Sequence, residues 1–144
     1  MIVLDANILL YAYDIDAPLH ESARTYLEAA FSVSEPVGIP LQSISAFLRI
    51  STQRGALRAP YLLEEAVAFV EEWLALPNVQ LLTGGDRHWP ILKRMLLEGH
   101  AAGRLVTDAG IAALAIEWGG ELQTNDRGFG RFPGLRWNNP LGAA

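Results

Sequence analysis

The feature that most constrains this chain is an alternation of two periodicities. Short strand-like runs occur at Ile2–Leu4, Val37–Ile39, Val79–Leu81, Glu121–Gln123 and, more faintly, Leu135–Trp137. Between them lie longer stretches whose apolar residues recur at helical spacing. Leu19, Ala23, Tyr26, Leu27 and Ala30 share one helical face, and Leu41, Ile44, Phe47 and Leu48 a second. Leu63, Ala66, Val67, Val70 and Leu74 form a third, Trp89, Leu92, Met95 and Leu96 a fourth, and Ile111, Leu114, Ala115 and Trp118 a fifth. Breakers at Glu35-Pro36, Ala59-Pro60, Pro77-Asn78, Gly84-Gly85 and Gly119-Gly120 separate the pieces. Strands alternating with helices predict an α/β fold: a short, mostly parallel sheet of four or five strands with helices on both faces. Trp89 and Trp118, lying on apolar faces, are expected in the core. Such sheets bind ligands beyond the carboxyl ends of their strands, where the strand order reverses. A functional side chain therefore belongs immediately after a strand.

Composition narrows the classes. The chain has 144 residues, of which 51% are hydrophobic, and no linker or repeat divides it, so one domain over residues 1–144 is expected. No apolar run approaches the roughly 18 residues of a membrane span. No signal-like segment opens the sequence and cysteine is absent, which excludes disulfides and thiolate metal sites and fits a cytoplasmic protein. A net charge of −5 argues against a broadly basic nucleic-acid-binding surface. It leaves room for an acidic metal site beside local cations, and Arg127, Arg131 and Arg136 do fall close together.

Three acids stand where chemistry is expected. Asp5 follows the first strand-like run, Asp108 opens the helical stretch bearing Ile111 and Leu114, and Asp126 follows the fourth run. Each has an ordinary explanation: Asp5 and Asp108 as helix caps, Asp126 as part of an Asn-Asp-Arg-Gly turn. Together, at one edge of a parallel sheet, they would repel unless a cation lay between them. Oxygen ligands without His or Cys suit Mg²⁺, with Mn²⁺ an alternative, and such ions serve phosphoryl chemistry. The remaining polar residues read more simply. Asp14 and Asp16 suit a solvated turn before Pro18, and His20 a surface helix position. His88 and His100 lack ligand spacing, and Gly84-Gly85 lacks the pattern of a phosphate-binding loop.

These residues resemble a known family. Ile2-Val3-Leu4-Asp5-Ala6-Asn7 is similar to the opening motif of PIN-domain nucleases. Leu105-Val106-Thr107-Asp108-Ala109 with Ile111-Ala112-Ala113-Leu114-Ala115 resembles their later acid on its helix, and Thr124-Asn125-Asp126-Arg127-Gly128-Phe129 their T-x-D-x-x-F motif. Phe132-Pro133-Gly134-Leu135, Asn139-Pro140-Leu141 and Ile39-Pro40 leading into Phe47-Leu48-Arg49-Ile50-Ser51-Thr52 resemble one branch of VapC-type toxins. The ordered set covers nearly the whole chain. The resemblance implies a PIN-like three-layer α/β/α fold and an Mg²⁺-dependent endoribonuclease. It also implies a VapB-type antitoxin as protein partner and a homodimer. Asp5, Asp108 and Asp126 become the expected metal-binding and catalytic residues.

One departure stands out. Many PIN domains carry a Glu on the helix after the second strand. Here that stretch is Pro40-Leu41-Gln42-Ser43-Ile44-Ser45-Ala46-Phe47, with Ala46 at the expected Glu position. One ion rather than two is then expected, with Gln42, Ser43 or Ser45 available to hold a water. Asn7 and Thr107 are candidates to orient carboxylates, and Arg127 and Arg131 to steer RNA phosphates. The expected reaction is attack of water on phosphorus with departure of the 3′ oxygen. Rival readings fit less well. An Asp-nucleophile phosphatase wants a second Asp at position 7, where Asn stands. A receiver domain wants paired acids after the first strand. A catalytically weak PIN-fold module that binds RNA or a partner is the alternative, and the missing Glu is its argument.

Overall fold

Among the described residues, five strands are separated by six α-helices, as an α/β chain requires. The structure is a computed structural model and describes residues 1–142. The strands are β1 (Ile2–Leu4), β2 (Val37–Pro40), β3 (Val79–Leu82), β4 (Glu121–Gln123) and β5 (Trp137–Asn138). The helices are α1 (Ala6–Tyr13), α2 (His20–Ser32), α3 (Leu41–Ser51), α4 (Leu63–Leu74), α5 (His88–Glu98) and α6 (Leu105–Glu117). Every strand pairing is parallel, in the order β3-β2-β1-β4-β5. The last strand lies two residues later than the sequence suggests at its start. Pro133-Gly134 and Leu135 belong to the turn that feeds it, where Gly134 takes a φ of 83°.

Side-chain alternation on the central strands separates two cores. Leu4, Val37 and Ile39 point to one face, where α1–α4 supply Ile8, Leu9, Leu27, Phe47 and Trp73. Val3, Leu82 and Leu122 point to the other, against Met95 of α5, the alanine-rich face of α6, and Phe129 and Phe132. A strand buried on both faces reads as an unbroken apolar run, and β1 reads that way. Gly38 sits where a Cβ would lie 2.5 Å from a Leu82 methyl, so the β2–β3 contact requires its small size.

Helix phase revises several sequence expectations. Trp89 is 61% exposed, because the buried stripe of α5 centres on Met95 and Trp89 is turned away from it at 3.6 residues per turn. Trp118 is also exposed, lying past the end of α6 with its indole N–H donating to the Thr83 carbonyl at 3.2 Å. On α4 the buried residues are Ala66, Val70 and Trp73, while Leu63 and Val67 face outward. His20, expected at the surface, is largely covered. Its Nδ1 lies 2.8 Å from the Tyr11 carbonyl and ties α2 back to α1.

Candidate active site

The strand order fixes where a site belongs. From β1 the chain steps outward through β2 and β3, then crosses to the other side of β1 to lay down β4. The order therefore reverses between β1 and β4. The carboxyl ends of those two strands lead directly into Asp5 and into Thr124-Asn125-Asp126.

Asp5 is both a helix cap and more than one. Its backbone N–H donates to the Gln123 carbonyl at 3.1 Å, extending the β1–β4 ladder by one rung. As the N-cap residue of α1, it also accepts through Oδ1 from the N–H of the first helical residue, Ala6, at 2.7 Å. Its Oδ2 accepts from the Thr124 hydroxyl at 2.7 Å. The carboxylate is only 7% exposed, and burial pushes its pKa above the ordinary value. The bonds from Thr124 and Ala6 oppose that shift, and the charge of Asp126 adds to it.

Thr124 is the hub of this corner, a role that its place in the T-x-D motif does not by itself disclose. Its hydroxyl donates to Asp5 and accepts from the Asp126 N–H at 3.0 Å and the Asn7 side-chain amide at 3.3 Å. One proton given and two lone pairs filled is the full capacity of a hydroxyl. Asn7 also accepts from the Asn125 N–H at 3.3 Å. Asn7 thus orients Asp5 indirectly, through Thr124. The signal available in sequence was the T-x-D spacing, which lets one side chain reach back across the strand pair.

Asp108 departs from expectation in one respect. α6 begins at Leu105, capped by Arg104 without a side-chain bond, so Thr107 and Asp108 lie within its first turn rather than ahead of it. Capping does not account for Asp108. Partial burial raises its pKa to about 6, with Asp5 and then Asp126 adding to the rise, while Arg131 and Arg104 oppose it. Asp108 thus senses both other acids, one of them more than a hundred residues away in sequence. Arg104 was overlooked in the sequence. The one clue was a cation directly preceding the acid-bearing helix. Asp126 accepts from the Gly128 N–H at 2.8 Å and starts a 3₁₀ turn, Arg127–Arg131, so its turn reading is also correct.

The remaining candidates divide. Ser43 is buried and donates to the Leu4 carbonyl at 2.8 Å, which locks the start of α3 beside Asp5. Ala46 and Ser45 line a cleft between α3 and α6, with Gln42 and Thr107, while Phe47 turns into the core. Arg131 donates to the His100 carbonyl at 3.4 Å, and Arg136 donates to the Gly119 carbonyl at 3.0 Å, at the end of α6. Arg127 is exposed. Asp14 and Asp16 form a turn in which Asp14 accepts from the Asp16 N–H, away from these acids.

Among the described residues, no three His, Cys, Asp or Glu side chains draw together tightly enough to grip an ion by themselves. The donor set is nonetheless all oxygen, partly buried and negatively charged beyond what the nearby arginines offset. Such a set fits a hard divalent cation that keeps several waters and takes only one or two carboxylates. Asp5 and Asp108 are the residues whose raised pKa values mark a need for positive charge.

Comparison with known proteins identifies the family. The PIN domain family model matches residues 2–135. Ribonuclease VapC33 of Mycobacterium tuberculosis is 38% identical over 141 residues, covering 98% of this chain and 99% of that protein. In fold, the chain is similar to VapBC2 from Rickettsia felis, solved with a promoter DNA fragment, with a TM-score of 0.70 and 20% identity over 96% of this chain and 98% of the other. It is likewise similar to VapC20 of Mycobacterium tuberculosis, a sarcin–ricin loop cleaving toxin, with a TM-score of 0.65 and 16% identity over 94% and 99% of the two chains. With a PIN model running from β1 through β4 and past all three acids, and a VapC relative aligned over 98% of the sequence, this chain belongs to the PIN domain family, among the VapC ribonucleases.

Proposed function

We propose that the chain is an endoribonuclease acting as the toxin of a toxin–antitoxin pair, with Asp5, Asp108 and Asp126 as its catalytic acids and Mg²⁺ as its cofactor. The supporting observation is the rise of the Asp108 pKa to about 6 through burial and the charges of Asp5 and Asp126. Burial raises the pKa values of Asp5 and Asp108, and the charges of neighbouring acids add to the rise, so this strand-order reversal is poised for a cation. Asp5 and Asp108 would hold the ion, and Asp126 would hold one of its waters. A bound divalent ion supplies an activated water and neutralises charge on the leaving oxygen.

The chain's own residues do the positioning. Thr124 fixes Asp5 in one rotamer, and Asn7 fixes Thr124. Arg104 and Arg131, whose charges reach Asp108, are the cations available to hold RNA phosphates beside it. Hydrolysis leaves a 5′-phosphate and a 3′-hydroxyl end. Relatives named as ribonucleases, and a neighbour described as a toxin that cuts the sarcin–ricin loop, support RNA as the substrate class. A neighbour solved as a VapBC complex supports a VapB-type antitoxin as partner. The proposed protein works as a homodimer in the cytoplasm, and no helix among the described residues is long and apolar enough to cross a membrane.

The test is cleavage of RNA and of matched DNA, with Mg²⁺ and with EDTA. RNA alone is cut, EDTA stops the reaction, and Asp5→Asn lowers the rate by at least about a hundredfold, the scale of a catalytic group lost. Full cleavage in EDTA or by the variant overturns the proposal.

A further inference from the structure

α3 presents Gln42, Ser45, Ala46 and Arg49 along one face, at the i, i+3, i+4, i+7 spacing of a single stripe. Opposite lie Thr107 and Leu114 of α6, and Thr83-Gly84 closes the end beyond β3. The space between is an open cleft of about 540 Å³, within the roughly 300–1,000 Å³ of sites that enclose a small organic group. One end lies at segments that carry the acids, although no acid lines the cleft itself. Thr107 is the residue before Asp108, and the Ser43–Leu4 hydrogen bond holds Gln42 beside the segment that ends in Asp5. The other end carries Arg49, two turns and about 10 Å along the helix axis. Arg49 is exposed and makes no ion pair with a carboxylate among the described residues.

Gln42 is the unusual member. Its amide oxygen is buried and accepts no hydrogen bond among the described residues. Buried amides without partners are rare, and each one in a native protein calls for an explanation. Room has been made for this one. Gly110 on α6 faces it, and a Cβ at that position would lie 3.1 Å from the Gln42 amide nitrogen. Turned out into the cleft that Gln42 lines, its primary amide offers donor and acceptor side by side, the pairing that reads a base edge, and gains the partner it lacks when turned inward. Single-stranded RNA offers such edges when its bases are splayed out of a stack. The cleft adds hydroxyls at Ser45, Thr83 and Thr107, apolar walls at Leu41, Ala46 and Leu114, and a guanidinium at its far end.

We propose that the α3–α6 cleft seats the ribonucleotide flanking the bond to be cut, with Gln42 selecting its base and Arg49 holding the phosphate beyond it. This rests on the ribonuclease reading given above. Gln42 is then a specificity-determining residue, and Arg49 a binding residue that is blind to sequence.

Two measurements test it. The first is the cleavage-site profile on RNA randomised around the cut, for the wild type, Gln42→Met and Arg49→Gln. Methionine keeps the length of the side chain against Gly110 and removes the hydrogen-bonding groups. The Gln42→Met profile should lose about tenfold preference at one flanking position, the worth of one good base contact, and keep the others. Arg49→Gln should leave the profile intact. The second measurement needs no cleavage: binding of the four nucleoside 5′-monophosphates in EDTA. Wild type should favour one base, Gln42→Met should bind all four alike, and Arg49→Gln should weaken all four equally, with a salt slope lower by about one unit. A wild-type profile already flat beside the cut, or one unchanged in Gln42→Met, overturns the cleft assignment while leaving the ribonuclease reading standing. Base-selective nucleotide binding that depends on Gln42, in a protein that cuts no RNA, overturns the ribonuclease reading and leaves the cleft standing.

Discussion

At the scale of single residues, Asp108 shows how a site opposes its own fold. A carboxyl whose pKa is raised to about 6 in the native state, from an ordinary value of 3.8, favours the fold only when protonated. That stability is complete below about pH 4 and is lost as pH rises through 6. Because the group is partly exposed and screened, its ionisation costs the fold on the order of 1 kcal/mol at neutral pH rather than the full linkage value. Asp108→Asn removes the charge. We expect its melting temperature to exceed that of the wild type by about 2–4 °C at pH 7.5. Thermal melts across pH should show the gap closing towards pH 4, and a gap independent of pH would contradict the mutual repulsion. The same residue marks what sequence did and did not disclose. All three acids were legible because each ends or follows an apolar run. Thr124, Arg104 and the free amide of Gln42 were not, because hydrogen-bond saturation and through-space charge have no linear signature.

At the scale of elements, strand and helix identities followed from periodicity, while facing directions did so only in part. Apolar spacing reports that a helix has a buried stripe, but not where its neighbours stop. Trp89 and Trp118 have the right spacing and lie beyond the cover of the adjoining elements. The end of α6 was better marked. Trp118 is its C-cap, Gly119 follows with a φ of 68°, the Gly119 N–H bonds to the Ile116 carbonyl, and the Gly120 N–H bonds to the Ala115 carbonyl. This is a Schellman stop, and it aims the chain straight into β4. A Cβ on Gly119 would meet nothing within 4 Å, so Gly119→Ala isolates the backbone term. Its cost is about 1 kcal/mol, from a left-handed conformation that alanine resists. A melt lower by a few degrees with an unaltered cleavage-site profile is the expected outcome, and an unchanged melt would mean that the turn does not hold that conformation in solution.

At the scale of the whole molecule, the sheet draws together acids from both ends of the sequence, and a ligand that joins them should stabilise everything at once. We expect added Mg²⁺ to raise the melting temperature at pH 7.5, by about 2.7 kcal/mol of stability at a hundred times its dissociation constant. The gain should shrink at pH 5, where Asp108 is mostly protonated and cannot serve as a ligand, and should vanish in Asp5→Asn. A rise that survives the Asp5 substitution would place the ion elsewhere.

The crossover from β3 to β4 has a last consequence. Asp5 emerges from the ribosome well ahead of its partners: the hydroxyl that orients it and the acid whose charge reaches it arrive some 120 residues later. A half-made polypeptide has no place where these groups can meet. Whatever activity this corner of the sheet possesses is therefore withheld until β4 has been made and slides in beside β1.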